Sequence, residues 1–297
     1  MRTLPFYQVD VFTERPFAGN PLAVFPAADG LTAAQMQAIA SEMNLSETAF
    51  VMAPQGDGDA RVRIFTPALE LPFAGHPCVG TACELVRLGI VAAVEPLTRV
   101  VLELGVGSTS VDVEVRDGVP LAATVHQGPP TFGAAVPRER VAALLGLELD
   151  DLHEDLDAVP VSTGLPHTII PLRSQRALAH VAMDLALCAA FERDFAEAYP
   201  CAFTGQETPW IEARGIFPLC GIPEDPATGS AAGPLAAYMA RAGRLPPGVR
   251  RVVLQGAAIG RPSLLTVSVV GAADHIEDVL VGGSVQPVLR GELTLED

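Results

Sequence analysis

Two glycine-containing segments of the chain have residue types that could bind an anion. Ala74–Pro77 and Asp225–Ser230 each stand directly before a long apolar run. The apolar runs predict buried helices, and the first turn of a helix has backbone N–H groups without intrahelical partners and a partial positive charge. A carboxylate or a developing negative charge could therefore bind at either helix start. This is the arrangement of residues expected of an enzyme site.

Glu47 is the residue best suited to move a proton. It stands between a predicted amphipathic helix and an apolar strand. Half burial at such a place raises the pKa of a carboxyl group toward neutrality, where the group can both remove and return a proton. The alternative is a surface carboxylate at the boundary of two elements. The catalytic interpretation therefore requires other polar groups to converge on Glu47.

His76 and Asp225 occupy comparable positions at the two predicted helix starts. His76 could donate a hydrogen bond or carry a proton beside the backbone N–H of Gly75. Asp225 precedes Gly229 and Ser230, whose N–H groups and hydroxyl suit a carboxylate. Both residues also have an ordinary structural explanation, because His and Asp can cap a helix and satisfy its backbone groups.

Metal and cofactor sites have only weak support. The residues that folding could assemble around a metal are His76, His126, His167 and Asp225, but no pair of them has the spacing of known ligand motifs. The segment Gly105–Gly107 lacks the third glycine and the strand–helix context of a dinucleotide loop, and no P-loop is present. We therefore predict neither a metal nor a cofactor.

The composition excludes several classes of partner. The net charge is −16 and all 19 basic residues are arginines, mostly scattered singly, which argues against nucleic-acid binding. No window reaches the roughly 18 uninterrupted apolar residues of a membrane span, and the N-terminus does not have the pattern of a secretory signal. The five cysteines are odd in number and form no C-x-x-C pair, so we expect reduced thiols and a cytoplasmic protein.

The order of elements predicts an α+β protein of two similar lobes. The length of 297 residues suggests two domains, and we place them at 1–125 and 126–283, with a final strand in 284–297 that could return to the first lobe. Many short strands with turn signals accompany one apolar helix in each half, at Val79–Val91 and Ser230–Ala242. Each lobe is thus predicted to be a curled, mostly antiparallel sheet around a central apolar helix.

Three local predictions concern individual elements. Thr32 with Gln35 has the pattern of a capping box and predicts a helix from Thr32 to Met43. Pro234 is expected near the first turn of the second apolar helix, where proline is tolerated. Near the C-terminus we predict separate strands at Asp278–Gly282 and Gln286–Arg290.

Several short segments, taken together, carry a specific resemblance. They are Asp10–Thr13, Gly19–Val24, Glu42–Thr48, Phe65–Pro67, Glu70–Pro77, Ser162–Gly164 and Glu224–Ala231. In these segments the chain resembles the PhzF-like isomerases of phenazine biosynthesis, which are related in fold to diaminopimelate epimerase. The resemblance covers nearly the whole chain.

The resemblance implies a site between two lobes, usually in a homodimer. It implies that Glu47 is the acid/base and that His76 and Asp225 assist it. The residues implied to bind substrate are Asn20, Gly75, Gly229 and Ser230. The epimerase relatives have a cysteine directly before the glycine of each helix start, where this chain has Ala74 and Thr228. Racemisation by two thiols is therefore not expected here.

The resulting hypothesis is a cofactor-independent isomerase acting on a small carboxylated substrate that is cyclic or unsaturated. Glu47 would remove a carbon-bound proton and return it to a different carbon, while His76, Asp225 and the two helix starts stabilise the anionic transition state. Loops at Gly56–Asp59 and Gln206–Trp210 are expected to select the substrate. One alternative is a racemase or epimerase that pairs Glu47 with a non-cysteine partner. Another is a catalytically silent member that binds a carboxylated metabolite or a protein.

Overall fold

The computed structural model describes residues 2–203 and 210–295. Of the predicted substrate-selecting loop Gln206–Trp210, residues 206–209 therefore lie outside the described residues. By its internal contacts the chain divides into two compact units. Unit 1 comprises Met1–His126 and Gly282–Asp297, and unit 2 comprises Gln127–Val281.

The helices and strands are numbered in chain order. The strands are β1 (Arg2–Val11), β2 (Asn20–Phe25), β3 (Glu47–Met52), β4 (Ala60–Phe65), β5 (Glu70–Leu71), β6 (Leu97–Leu104), β7 (Gly107–Arg116), β8 (Val119–His126), β9 (Thr131–Phe132), β10 (Val159–Ser162), β11 (Pro166–Leu172), β12 (Glu197–Phe203), β13 (Trp210–Ala213), β14 (Gly215–Phe217), β15 (Ile222–Asp225), β16 (Arg251–Gln255), β17 (Ser263–Ala272) and β18 (His275–Leu295). The helices are α1 (Ala33–Met43), α2 (Gly75–Arg87), α3 (Arg138–Leu145), α4 (Gln175–His180), α5 (Leu185–Phe195) and α6 (Gly229–Arg241).

Unit 1 is a closed ring of strands around α2. Neighbouring strands follow the order β1-β2-β3-β4-β6-β7-β8-β18, and β18 pairs back to β1. Most pairs are antiparallel, whereas β2–β3 and β4–β6 are parallel. Every residue of α2 from Gly75 to Val86 is buried, as expected of a helix that is apolar all round. Gly80 allows the close approach, since a Cβ there would lie 2.7 Å from the Leu22 side chain.

Helix α1 packs on a second apolar cluster of unit 1. The rings of Phe25 and Phe50 stack with centroids 5.2 Å apart, and Phe65 meets Phe50 edge-on. The capping box at Thr32 is present. The Thr32 side chain accepts a hydrogen bond from the Gln35 backbone N–H, and the Gln35 side chain accepts one from the Thr32 backbone N–H. The predicted helix is therefore confirmed.

In unit 2 a sheet likewise packs on an apolar helix, α6. Its strands follow the order β18-β17-β16-β13-β12-β11-β10-β9, and α6 packs against β17, β11 and β10. Helix α6 is buried from Gly229 to Ala240. Helices α3, α4 and α5 cover a further apolar cluster around Phe191 and Ile170. The predicted α+β class is confirmed.

Some element predictions were wrong in detail. Residues 275–295 form one strand, β18, where we predicted two. Gly282 lies inside this strand and not at a turn. A Cβ on it would lie 2.4 Å from Thr124 Oγ1, so the glycine allows β18 to approach β8 closely. Pro234 lies in the second turn of α6, where its missing N–H leaves the Ser230 carbonyl without its usual helical donor. Helix α2 begins at Gly75, before the predicted Val79.

In the ranges 2–203 and 210–295, no helix combines the length and the apolar character needed to cross a bilayer.

Candidate active site

Unit 1 brings Asn20, Glu47 and His76 together at the start of α2. Glu47 is the first residue of β3 and pairs with Leu22 of β2, two residues beyond Asn20. Glu47 Oε2 lies 3.3 Å from His76 Nδ1, and Asn20 Nδ2 lies 3.3 Å from the same nitrogen. Glu47 is 8% exposed, so it is not the surface carboxylate of the alternative interpretation. We call these three residues the unit 1 cluster.

The imidazole of His76 is neutral at neutral pH. The residue is 2% exposed, and burial lowers the pKa of its side chain to about 3. Its contact with Glu47 is therefore that of a carboxyl group with an uncharged ring and not an ion pair. The second ring nitrogen, Nε2, is buried and has no hydrogen-bond partner within the described parts of the chain.

The start of α2 has no side-chain cap. The N-cap residue is Ala74, which has no polar side chain, and Pro77 in the first turn has no N–H. The contacts described for His76 are with the side chains of Asn20 and Glu47. His76 is thus not the capping histidine of the alternative interpretation, and the N–H of Gly75 belongs to an uncapped helix end.

Asp225 ends β15 and lies beside the start of α6. It is 3% exposed, and its Oδ2 accepts a hydrogen bond of 2.7 Å from Thr228 Oγ1. Thr228 is the N-cap residue of α6, but its side chain makes no capping bond and donates to Asp225 instead.

A buried glutamine, Gln255, connects to both of these residues. Its Nε2 donates to the Asp225 carbonyl oxygen at 2.8 Å and to Thr228 Oγ1 at 2.9 Å. Its Oε1 accepts from the Thr228 N–H at 3.1 Å and from the Tyr199 hydroxyl at 2.6 Å. We call Asp225, Thr228, Gln255 and Tyr199 the unit 2 network. Sequence reasoning missed Gln255 and Tyr199, since neither stands in a recognisable motif.

The proposed substrate-binding residues of α6 have their own partners. Ser230 Oγ lies 3.2 Å from His167 Nε2, and the Gly229 carbonyl accepts from Gln127 Nε2 at 3.0 Å. His167 Nδ1 is 3.5 Å from Glu197 Oε2. Burial lowers the pKa of His167 to about 3, so this ring is also neutral. The sequence offered His167 only as a metal ligand, whereas the structure places it against Ser230.

Helix α2 contains two buried cysteines. Burial raises the pKa of the Cys78 and Cys83 thiols in α2 to about 12, so these thiols stay protonated. His126 contacts Asp112 at 3.0 Å. The described residues contain no group of three or more His, Cys, Asp and Glu side chains placed to hold a metal ion.

A sequence profile of the phenazine biosynthesis-like proteins (PhzC-PhzF) matches residues 9–291. The chain belongs to this family. The PhzF-family chain is 39% identical over 288 residues to the trans-2,3-dihydro-3-hydroxyanthranilate isomerase of Pseudomonas aeruginosa, covering 97% of the chain and 98% of that protein. The predicted family and the predicted enzyme class, an isomerase, are confirmed.

Two solved structures show how widely the fold of the PhzF family is shared. A structure named as a "Predicted Epimerase" from Pseudomonas aeruginosa has 36% identity and a TM-score of 0.85, covering 99% of this chain and all (100%) of that one. A hydroxyproline epimerase from Agrobacterium vitis has 14% identity and a TM-score of 0.72, covering 100% of this chain and 94% of that one. The second likeness shows the fold alone. The predicted epimerase-like fold is confirmed.

Proposed function

We propose that this isomerase moves a carbon-bound proton within a small, carboxylated, cyclic and unsaturated substrate, without a cofactor. The observation that carries the proposal is the Glu47 carboxyl group, buried 3.3 Å from a neutral imidazole at an uncapped helix start. The P. aeruginosa relative is named for trans-2,3-dihydro-3-hydroxyanthranilate, which has this chemical character. We propose the same compound as a substrate of this chain.

Glu47 performs the proton transfer in this proposal. As a carboxylate it takes a proton from a ring carbon, and the electron pair left behind enters the adjacent π-system. The carboxylic acid then returns the proton to a different carbon, so that the double bond moves and the carboxylate is regenerated. Since one group both removes and returns the proton, the reaction needs no external acid, base or electron acceptor.

His76 stabilises the negative charge that develops on the substrate. With Asn20 Nδ2 donating to Nδ1, the single ring hydrogen is on Nε2, which has no other partner among the described residues. Burial keeps the ring neutral, so Nε2 offers this hydrogen to the substrate as a hydrogen-bond donor. The N–H groups of Gly75 and the start of α2 act in the same direction.

The unit 2 residues bind and orient the substrate in the same reaction. Gly229 and Ser230 begin α6, where backbone N–H groups and a hydroxyl suit a carboxylate. Asp225 assists Glu47. We assign both groups of residues to one reaction, so that Glu47→Gln and Asp225→Asn should show non-additive effects on kcat/KM.

The substitution Glu47→Gln tests the proposal directly. It keeps the size of the side chain and removes the proton acceptor, so we expect kcat to fall by about 10²–10⁴-fold with an unchanged unfolding transition. The assay follows trans-2,3-dihydro-3-hydroxyanthranilate in deuterated water by NMR. Normal turnover by the variant would show the assignment to be wrong.

The same assay separates the alternatives. An isomerase moves the double bond, and the receiving carbon gains deuterium only to the extent that the Glu47 carboxyl group exchanges with solvent before it returns the proton. An epimerase places deuterium at one stereocentre and leaves the double bond unchanged. A catalytically silent member binds the compound, as calorimetry would show, but exchanges no carbon-bound proton.

We also propose a homodimer in the cytoplasm. The dimer follows from the family resemblance, and the compartment from the cysteines, which are free thiols. Light scattering coupled to gel filtration tests the dimer, and fractionation of the source cells tests the compartment.

A further inference from the structure

The orientation of the Gln255 side-chain amide is determined by backbone partners. The Asp225 carbonyl can only accept a hydrogen bond and the Thr228 N–H can only donate one. The nitrogen of Gln255 must therefore face the Asp225 carbonyl, and its oxygen must face the Thr228 N–H, as their distances of 2.8 and 3.1 Å show. The amide cannot be turned over without losing both bonds.

This orientation determines the direction of the hydrogen bond to Asp225. The second hydrogen of Gln255 Nε2 points at Thr228 Oγ1, so the hydroxyl is an acceptor from that side. Thr228 has one hydroxyl hydrogen, which is then directed to Asp225 Oδ2 at 2.7 Å. A carboxylate that accepts a hydroxyl hydrogen is favoured over the protonated acid.

The surroundings hold the glutamine in this position. Tyr199 donates to Gln255 Oε1, and burial raises its pKa well above the usual value, so the hydroxyl stays a donor. Cys201 also lies near Tyr199, and burial raises its thiol pKa far enough to keep it neutral. Gly215 leaves the required space, because a Cβ there would lie 2.4 Å from Thr228 Oγ1 and 2.7 Å from Gln255 Nε2.

We propose that Gln255 and Tyr199 are positioning residues that act through Thr228 to hold Asp225 as an ionised hydrogen-bond acceptor. A carboxylate repels a neighbouring negative charge. Asp225 therefore does not stabilise the anionic transition state, although its position at a helix start had suggested that role. It accepts instead an N–H or O–H hydrogen of the substrate. That last step rests on the proposed function, and the amino and hydroxyl groups of trans-2,3-dihydro-3-hydroxyanthranilate would supply the donor.

The hydrogen-bond network itself can be tested without any substrate. Protein labelled with ¹³C at the aspartate carboxyl carbons is titrated by NMR, and the Asp225 signal is assigned as the one missing from Asp225→Asn. In Thr228→Val the midpoint for Asp225 should move up by about one pH unit, because the carboxylate has lost a donor. In Thr228→Ser, which keeps the hydroxyl, the midpoint should stay at the wild-type value.

Two tyrosine variants provide a matched comparison. Tyr199→Phe removes the donor to Gln255 and should raise the Asp225 midpoint by a smaller amount than Thr228→Val. Tyr238→Phe removes a less buried hydroxyl of unit 2 that donates to the Asp157 carbonyl, and it should leave the midpoint unchanged. An unchanged midpoint in folded Thr228→Val, or a shift that Thr228→Ser does not reverse, would overturn the proposal.

The contact with substrate is tested by kinetics on the wild type and Thr228→Val. With trans-2,3-dihydro-3-hydroxyanthranilate, the acidic limb of the kcat/KM profile should move up with the NMR midpoint in Thr228→Val and return in Thr228→Ser. A shift in the midpoint without a shift in the profile would refute the role of Asp225 as acceptor. Absence of wild-type turnover would instead refute the proposed function, and the titration would still decide whether the network exists.

Discussion

The two helix starts share a backbone plan and differ in how their polar groups are bonded. Helices α2 and α6 each have 13 residues, are buried almost throughout and begin without a side-chain cap. At α2 the cluster contacts are 3.3 Å long and His76 Nε2 is buried without a partner in the described chain. At α6 the bonds of Gln255 with its neighbours are 2.6–3.1 Å long, and both ends of its amide are used twice.

This difference indicates a division of labour. A buried polar atom without a partner costs roughly 1–3 kcal/mol, and such costs are expected where function requires them. In our proposal the unit 1 cluster keeps His76 Nε2 as a hydrogen-bond donor for the substrate. In the unit 2 network, by contrast, we propose that the hydrogen bonds hold the Asp225 carboxylate in place. Catalysis favours such preorganised polar groups.

The largest expected effect comes from breaking the unit 1 cluster. His76→Leu should lower kcat/KM by about 10²–10³-fold, because the donor to the developing anion is lost. The free energy of unfolding should change by less than about 1 kcal/mol, since a partnerless buried nitrogen is lost as well. His126→Leu, in the same unit, is the control and should keep full activity. Strong destabilisation of His76→Leu with activity retained would reverse the roles assigned to the two clusters.

Breaking the unit 2 network should instead cost stability. Gln255→Leu leaves the Asp225 carbonyl, the Thr228 N–H and the Tyr199 hydroxyl without their partner, so the free energy of unfolding should fall by about 2–4 kcal/mol. Urea denaturation measures this. The control Gln37→Leu loses a single bond, to the Thr66 carbonyl, and should cost about 1 kcal/mol or less. Equal losses in the two variants would show that the network has no special role in stability.

Acid should affect the two regions alike, despite their different bonding. His76 and His167 have folded-state pKa values of about 3, and an unfolded histidine titrates near 6.5. The unfolded chain therefore binds more protons between these values, and stability falls as pH drops from about 6.5 toward 3. Each of His76→Leu and His167→Gln should remove about 1–2 kcal/mol of the stability difference between pH 7 and pH 5.

The smallest expected effect comes from removing the Tyr199 hydroxyl of unit 2, compared with removing the Tyr238 hydroxyl of the same unit. Tyr199→Phe and Tyr238→Phe each delete one buried hydroxyl bond, so each should lower the free energy of unfolding by about 1 kcal/mol. Only Tyr199→Phe should also lower kcat/KM, by a few fold, because only its hydroxyl bonds to Gln255. Matching activity losses in both variants would indicate general loosening of the unit.

Local sequence was sufficient for features that depend on neighbouring residues. The capping box of α1 follows from Thr32 and Gln35, which are three residues apart. The two apolar helices were found because no charged face could direct them to water. The strand break predicted near Gly282 was wrong because it depends on a residue that is distant in the sequence. Gly282 is required by the close approach of the β8 backbone and does not mark a turn.

The sequence by itself determined the α+β class, the family and the chemically capable residues Glu47, His76 and Asp225, because these depend on composition and on short motifs. Only the tertiary structure decided which partners hold those residues. Gln255 lies 30 positions from the Asp225 carbonyl it binds and 56 from Tyr199, and His76 lies 56 from Asn20. Hydrogen bonds over such separations depend on strand order and burial, and local residue patterns do not encode either.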